Sequence, residues 1–167
     1  MSDKLIKLLR EKKKTISTME SCTGGGIANA ITNVEGSSEV LKFSAVTYSN
    51  EYKIKMGVSA DTIDKYSVYS IEVAKEMSKT ISDFTNSDYG VGITGKLNRI
   101  DPNNVVGDNN IVFISIYDRE NNNYIVKTLT VDKKDRKTNK DIIIISNILS
   151  CLHSSYVVTS PYFINIL

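Results

Sequence analysis

The residues best placed to do chemistry are Glu20, Ser21, Cys22 and Thr23, with the glycine run Gly24, Gly25 and Gly26 directly behind them. Ahead of this group, residues 15–19 alternate like a short strand, with Ile16 and Met19 as its apolar members. Behind it, Ile27, Ala28, Ala30 and Ile31 recur at helical spacing. A strand, a polar glycine-rich turn and a helix set hydroxyl groups beside a helix start. The first backbone N–H groups of a helix have no partner within it and form the positive end of its dipole. Such a turn binds an anion or stabilises an oxyanion. The same residues also fit a plain βα connection whose glycines ease packing. Three adjacent glycines are not the G-x-G-x-x-G of a dinucleotide site, and no Gly-Lys-Ser/Thr of a P-loop follows.

If Ser21 is a nucleophile, it needs a neighbouring base. The single histidine of the 167 residues is His153, so any Ser-His-Asp or Cys-His arrangement must use it, and a His-rich metal site is excluded. Lys, Tyr or Glu is then the expected base, and no metal or cofactor is expected. Cys22 and Cys151 lie far apart in sequence and make no disulfide framework or metal spacing. That usage fits a reduced, cytoplasmic protein, with Cys22 most simply a small core residue. A net charge of +2 gives no footprint for nucleic acid or an anionic membrane. No apolar run approaches membrane-spanning length, and the charged, amphipathic start is not a secretory signal.

The elements that must position the turn alternate in type. Residues 2–13 read as a helix with Leu5, Ile6, Leu8 and Leu9 on its apolar face, and residues 34–38 as a loop. Residues 40–48 read as a β-branched and aromatic strand. Residues 49–57 turn into a short helix stopped by Gly57. Residues 59–66 offer another short helix, and residues 70–84 a clear one with Ser70 as N-cap. Residues 89–94 predict a buried strand. Residues 95–110 form a polar loop, long enough to be functional or mobile. Residues 111–117 and 124–131 make an antiparallel hairpin, and residues 135–152 a closing helix. The apolar tail, 153–167, offers an added edge strand ended by Pro161. The pattern predicts one α/β domain: a three-layer α/β/α sandwich on a mixed, mostly parallel sheet.

Three motifs in order make the pattern specific: E-S-C-T-G-G at 20–25, Y-S-N-E-x-K at 48–53 and S-x-E-V-A at 70–74. Together they resemble the C-terminal domain of the competence/damage-inducible CinA family, the nicotinamide mononucleotide deamidases. The likeness runs from about residue 4 to residue 152. It includes V-x-G-x-S at 34–38, Thr94-Gly95, and Asp135-Arg136 followed by Lys140 where the family has a second Arg.

The resemblance implies hydrolysis of a nicotinamide carboxamide to the acid and ammonia. It implies Ser21, Tyr48 and Lys53 as catalytic residues, with Ser21 the nucleophile. Backbone N–H groups at 23–25 would hold the oxyanion. Glu20, Thr23, Gly24, Gly25, Ser38, Thr94, Gly95 and Arg136 would bind substrate, Arg136 as a phosphate ligand. Lys and Tyr titrate near 10.4 and 10 when unperturbed, so either must be pushed down to accept a proton near neutrality. Tyr48 and Lys53 can converge only if one ends a strand and the other sits one turn into a helix. The resemblance also implies a homo-oligomer, with a trimer as the candidate, and the stand-alone form without an N-terminal molybdopterin-binding-like domain.

One departure is sharp. Where the deamidases carry a glycine-rich run after Thr-Gly, this chain has Lys96-Leu97-Asn98-Arg99-Ile100-Asp101-Pro102-Asn103-Asn104. Asn98, Arg99 and Asn103 there offer recognition of another phosphate or sugar. A loop folded across the pocket would instead leave a catalytically silent module binding a nucleotide or a protein.

Overall fold

The computed structural model describes residues 2–132 and 134–144. The element order is α1 (Ser2–Glu11), β1 (Ile16–Glu20), α2 (Gly26–Thr32), a 3-10 turn (Ser37–Glu39), β2 (Leu41–Val46), α3 (Asn50–Lys55), α4 (Ala60–Tyr66), α5 (Ile71–Thr85), β3 (Tyr89–Gly95), β4 (Ile111–Asp118), β5 (Asn123–Thr130) and α6 (Arg136–Ile143). The expected three-layer α/β fold is present. The expected edge strand in the tail, and the last part of the closing helix, lie outside the described residues.

The five strands form one sheet in the order β2-β1-β3-β4-β5. Strand β1 pairs in parallel with β2 and β3, and β4 runs antiparallel to both β3 and β5. Four strands therefore share a direction and β4 opposes them. Every residue of β1 and β3 is buried, as central strands covered on both faces must be. One face packs Leu5, Ile6 and Leu9 of α1, Ile27 and Ile31 of α2, and Ile143 of α6 onto Ile16, Val91, Ile93 and Ile114. The other packs Val73, Met77 and Ile81 of α5 and Ile63 of α4 around Met19.

The closest layer contact is between α5 and β3. A Cβ built on Gly90 would lie 1.9 Å from the Ser78 carbonyl oxygen, and one on Gly92 would lie 2.3 Å from that of Ala74. Only a bare backbone fits there. Beside them the Ser78 and Ser115 hydroxyls meet at 2.9 Å, so the polar atoms at this contact are paired.

Two boundaries differ from the sequence reading. Helix α1 stops at Glu11, because Lys13 takes a left-handed φ of 53°. Strand β2 stops at Val46 and not at residue 48. The Thr47 N–H still donates to the Glu20 carbonyl at 2.9 Å. Ser49 then adopts an extended N-cap conformation and accepts from the Tyr52 N–H at 3.3 Å. Competition between ladder and cap thus ends the strand two residues early.

Candidate active site

Strand β1 delivers Ser21 to the end of the sheet, where its N–H donates to the Ile93 carbonyl at 3.1 Å. From the neighbouring strand, the turn after β2 leads into α3, and Lys53 lies on the inward face of that short helix. Its side chain is 1 % exposed. The Lys53 amine donates to the Ser21 hydroxyl at 3.1 Å and to the Thr47 carbonyl at 2.7 Å. Burial opposes the charged form of this amine and pulls its pKa from 10.5 down to about 8, with a partial upward pull from the Cys22 thiol and the Asp101 carboxylate. Such an amine exchanges protons close to neutral pH, and a neutral one can accept the Ser21 proton.

Ser21 opens onto a cavity of about 490 Å3, within the range of small-molecule sites. Tyr48, Tyr69, Gly95, Arg99, Asn103 and Arg136 contribute to its walls. Tyr48 stands at the mouth, 66 % exposed, and its hydroxyl accepts from the Arg136 guanidinium at 2.9 Å. Among the described residues it has no hydrogen bond to Ser21 or Lys53. The structure therefore brings Ser21 and Lys53 together as a pair, and places Tyr48 at the exposed rim of the same cavity, held by Arg136.

The Ser21 turn differs from the sequence expectation in one respect. The start of α2 is already occupied. The fully buried Glu20 carboxylate accepts from the N–H groups of Ile27 at 3.0 Å and Ala28 at 2.9 Å, and from the Thr23 hydroxyl at 2.7 Å. Glu20 and Thr23 thus fix the turn as a cap does, with the carboxylate at the positive end of α2, and are not free to bind substrate. Gly24 and Gly25 adopt left-handed φ values of 62° and 90°. The Gly24 N–H turns back to the Ser21 carbonyl at 3.1 Å. The Lys140 amine lies over Gly24, 3.1 Å from where a Cβ would stand. Cys22 is buried, which pushes its thiol up to about 12 against the opposing pull of Arg136 and its own N–H, so it is an inert neighbour.

Two other expected site residues are elsewhere. Ser38 sits in the exposed 3-10 turn, outside the cavity walls. Thr94 is fully buried and donates to the Val68 carbonyl at 3.0 Å, toward the α4–α5 side of the sheet. Alternation along β3 explains this: Thr94 shares a face with Gly90 and Gly92, not with Ile93.

The long loop is a built wall. The buried Lys96 amine donates to the carbonyls of Val105 at 3.3 Å, Val106 at 3.0 Å and Gly107 at 3.2 Å, and lies 5.1 Å from the Tyr69 ring centre. Asp101 accepts from the Tyr69 hydroxyl at 2.5 Å, the Asn104 amide at 2.8 Å and the Asn103 N–H at 2.9 Å. Burial works against the Asp101 carboxylate, but these donors hold its pKa below the usual range. The Asn104 side chain in turn accepts from Asn50 of α3 at 2.9 Å. Asn98 is taken by the backbone carbonyls of Val131, at 3.0 Å, and Asp132. Sequence reasoning did not foresee Lys96, Tyr69 or Asp101 as the loop's anchors. The signal was weak: a lysine after a buried strand, and an Asp-Pro turn.

Fold and site together define an α/β protein with a buried serine–lysine pair at the end of its first strand. A family model described as the CinA C-terminal domain matches residues 1–152. The chain belongs to the CinA C-terminal domain family. Curated relatives include a CinA-like protein of Endomicrobium trichonymphae, 49% identical over 90 residues, which are 53% of this chain and 21% of that protein. A CinA-like protein of Flavobacterium psychrophilum is 46% identical over 113 residues, covering 66% and 26%. The matched region thus spans about a quarter or less of these longer relatives. Among solved structures, the competence/damage inducible protein CihA of Agrobacterium tumefaciens aligns over 95% of this chain and 93% of its own, with 25% identity and a TM-score of 0.80. The competence damage-inducible protein A of Klebsiella pneumoniae shares the fold at a TM-score of 0.85, with 21% identity over 95% and 99% of the two chains.

Proposed function

We infer that this protein is a serine amidohydrolase that cleaves the carboxamide of nicotinamide mononucleotide, or of a related small nucleotide amide, to the acid and ammonia. It is read as a cytoplasmic homo-oligomer needing no cofactor. The observation that carries this reading is the buried Lys53 amine 3.1 Å from the Ser21 hydroxyl on an open cavity.

The neutral amine takes the Ser21 proton as the serine oxygen bonds to the amide carbon. The carbonyl electrons move to oxygen, and backbone N–H groups of Thr23 and Gly25 stabilise that charge. The Gly24 N–H, paired with Ser21, drops out of the oxyanion set anticipated from sequence. As the carbon–nitrogen bond breaks, Lys53 returns its proton to the departing nitrogen, and the Tyr48 hydroxyl at the mouth donates to the bound substrate. Water, activated by the same amine, then splits the serine ester. Arg136 holds the phosphate end by its forked guanidinium. The divergent loop supports this reading over a silent module, because it lines a cavity that stays open beside Ser21.

The test is ammonia release from nicotinamide mononucleotide by the wild-type and Ser21→Ala proteins. Turnover lost by a thousandfold or more in the variant is expected, as for other serine nucleophiles. Equal turnover by both would remove Ser21 from the mechanism.

A further inference from the structure

We propose that Arg99 is a specificity-determining residue that takes a second phosphoryl group of the ligand, selecting a nucleotide amide with a diphosphate over one with a single phosphate. This rests on reading the cavity as a nucleotide-amide site.

Four side chains with a formal charge line the cavity: Lys96, Arg99, Asp101 and Arg136. Three of them are engaged within the protein. Lys96 is ringed by backbone carbonyls, Asp101 by three donors, and Arg136 donates to Tyr48. Arg99 has no hydrogen bond or ion pair among the described residues. Of the three loop side chains that sequence offered for recognition, Asn98 is tied to the end of β5, and Asn103 carries no charge. Arg99 is left as the loop's one charged recognition group.

Its setting favours an anion. Helix α6 places Arg136 and Lys140 one turn apart, and both bear electrostatically on the Ser21 turn. A phosphate held there leaves Arg99, on the loop, as a separate cationic point on the same cavity. Asp101, the only carboxylate among the described lining residues, has its oxygens held by Tyr69, Asn103 and Asn104. A guanidinium on an anchored loop loses little freedom when it closes on a phosphoryl group, and its fork matches phosphoryl oxygens. The loop anchors are independent of Arg99, so its replacement leaves the wall standing.

The experiment measures binding as well as turnover. Nicotinamide mononucleotide and nicotinamide adenine dinucleotide, which adds a second phosphoryl group, are titrated calorimetrically into the Ser21→Ala protein with and without Arg99→Gln. Loss of one charge-assisted contact should weaken the dinucleotide about tenfold and the mononucleotide less than twofold. Arg99→Lys should recover part of the loss. Equal weakening of both ligands, no weakening of either, or no dinucleotide binding at all would overturn the proposal. Arg99-dependent dinucleotide binding by a protein that releases no ammonia would sink the hydrolase reading and leave this one intact.

Discussion

The two sides of the cavity are built in opposite ways. The side carrying Ser21 and Lys53 is made from strand ends and helix starts, and its geometry follows from the sheet. The Ser21 N–H continues the β1–β3 ladder, the Thr47 N–H continues the β1–β2 ladder, and Lys53 follows one helical turn later. The far side, residues 96–110, has no regular element. It is held by side chains that each gather several partners: Lys96 its carbonyls, and Asp101 its three donors. The first construction fixes atoms to fractions of an ångström, as bond-making needs. The second fixes a surface whose outward residues can vary without touching the chemistry. On the proposed reading, reaction and selection are therefore separable in this molecule.

The largest effect that tests this separation is at Lys53. Lys53→Met should lower kcat by about a thousandfold and leave KM near its wild-type value. The same change should raise stability. A depression from 10.5 to about 8 corresponds to about 3 kcal/mol of penalty on the charged amine, with the lost bonds to Ser21 and Thr47 subtracting from the gain. The sign follows from proton counts. Between about 8 and 10.5 the unfolded chain binds the proton and the folded chain does not, so wild-type stability rises with pH through that window. Below about 8 the penalty is fully present. Urea titrations at pH 7 and pH 10 should show a wild-type gain that Lys53→Met lacks, while kcat/KM of the wild type climbs through about pH 8. A flat profile would separate Lys53 from the reaction.

A smaller effect is expected at Lys96. Lys96→Met removes the one donor that three loop carbonyls share. Stability should fall by about 2–4 kcal/mol, and KM should rise several-fold, with kcat within about threefold of wild type. If kcat fell as far as in Lys53→Met, the two sides would not be separable. The smallest effect is at Tyr69. Tyr69→Phe removes one donor from Asp101 and leaves the other two. The loss should be about 1 kcal/mol, with KM less than doubled. Backbone hydrogen exchange confined to residues 96–104 would register it.

The same division governs what could be read from sequence. The near side was legible because its signals are local: strand, glycine turn, Ser49 and Ser70 caps, and a spacing from residue 48 to residue 53 that must bend from strand into helix. Even there, only two of the three expected residues, Ser21 and Lys53, share a direct hydrogen bond. Tyr48 went instead to Arg136, 88 positions along the chain. No local pattern carries such a pairing. Glu20 was legible as a residue able to cap a helix or bond a backbone N–H, but its particular partners at Ile27 and Ala28 lie beyond the turn and carry no local signal. Lys96 was illegible for a physical reason. Lysine is normally solvated, and burying one requires a ring of carbonyls that only the folded loop supplies.

The two side-chain-free positions of β3 reach further than the core. Because α5 rests directly on the backbone of Gly90 and Gly92, the height of that helix above the sheet is set with no slack. Tyr69, whose hydroxyl anchors the far wall through Asp101, stands two positions before the first residue of α5. The aperture over the serine is thus gauged from underneath, by a spacer of zero thickness. A methyl group inserted at either position would run into the helix backbone and force strand and helix apart.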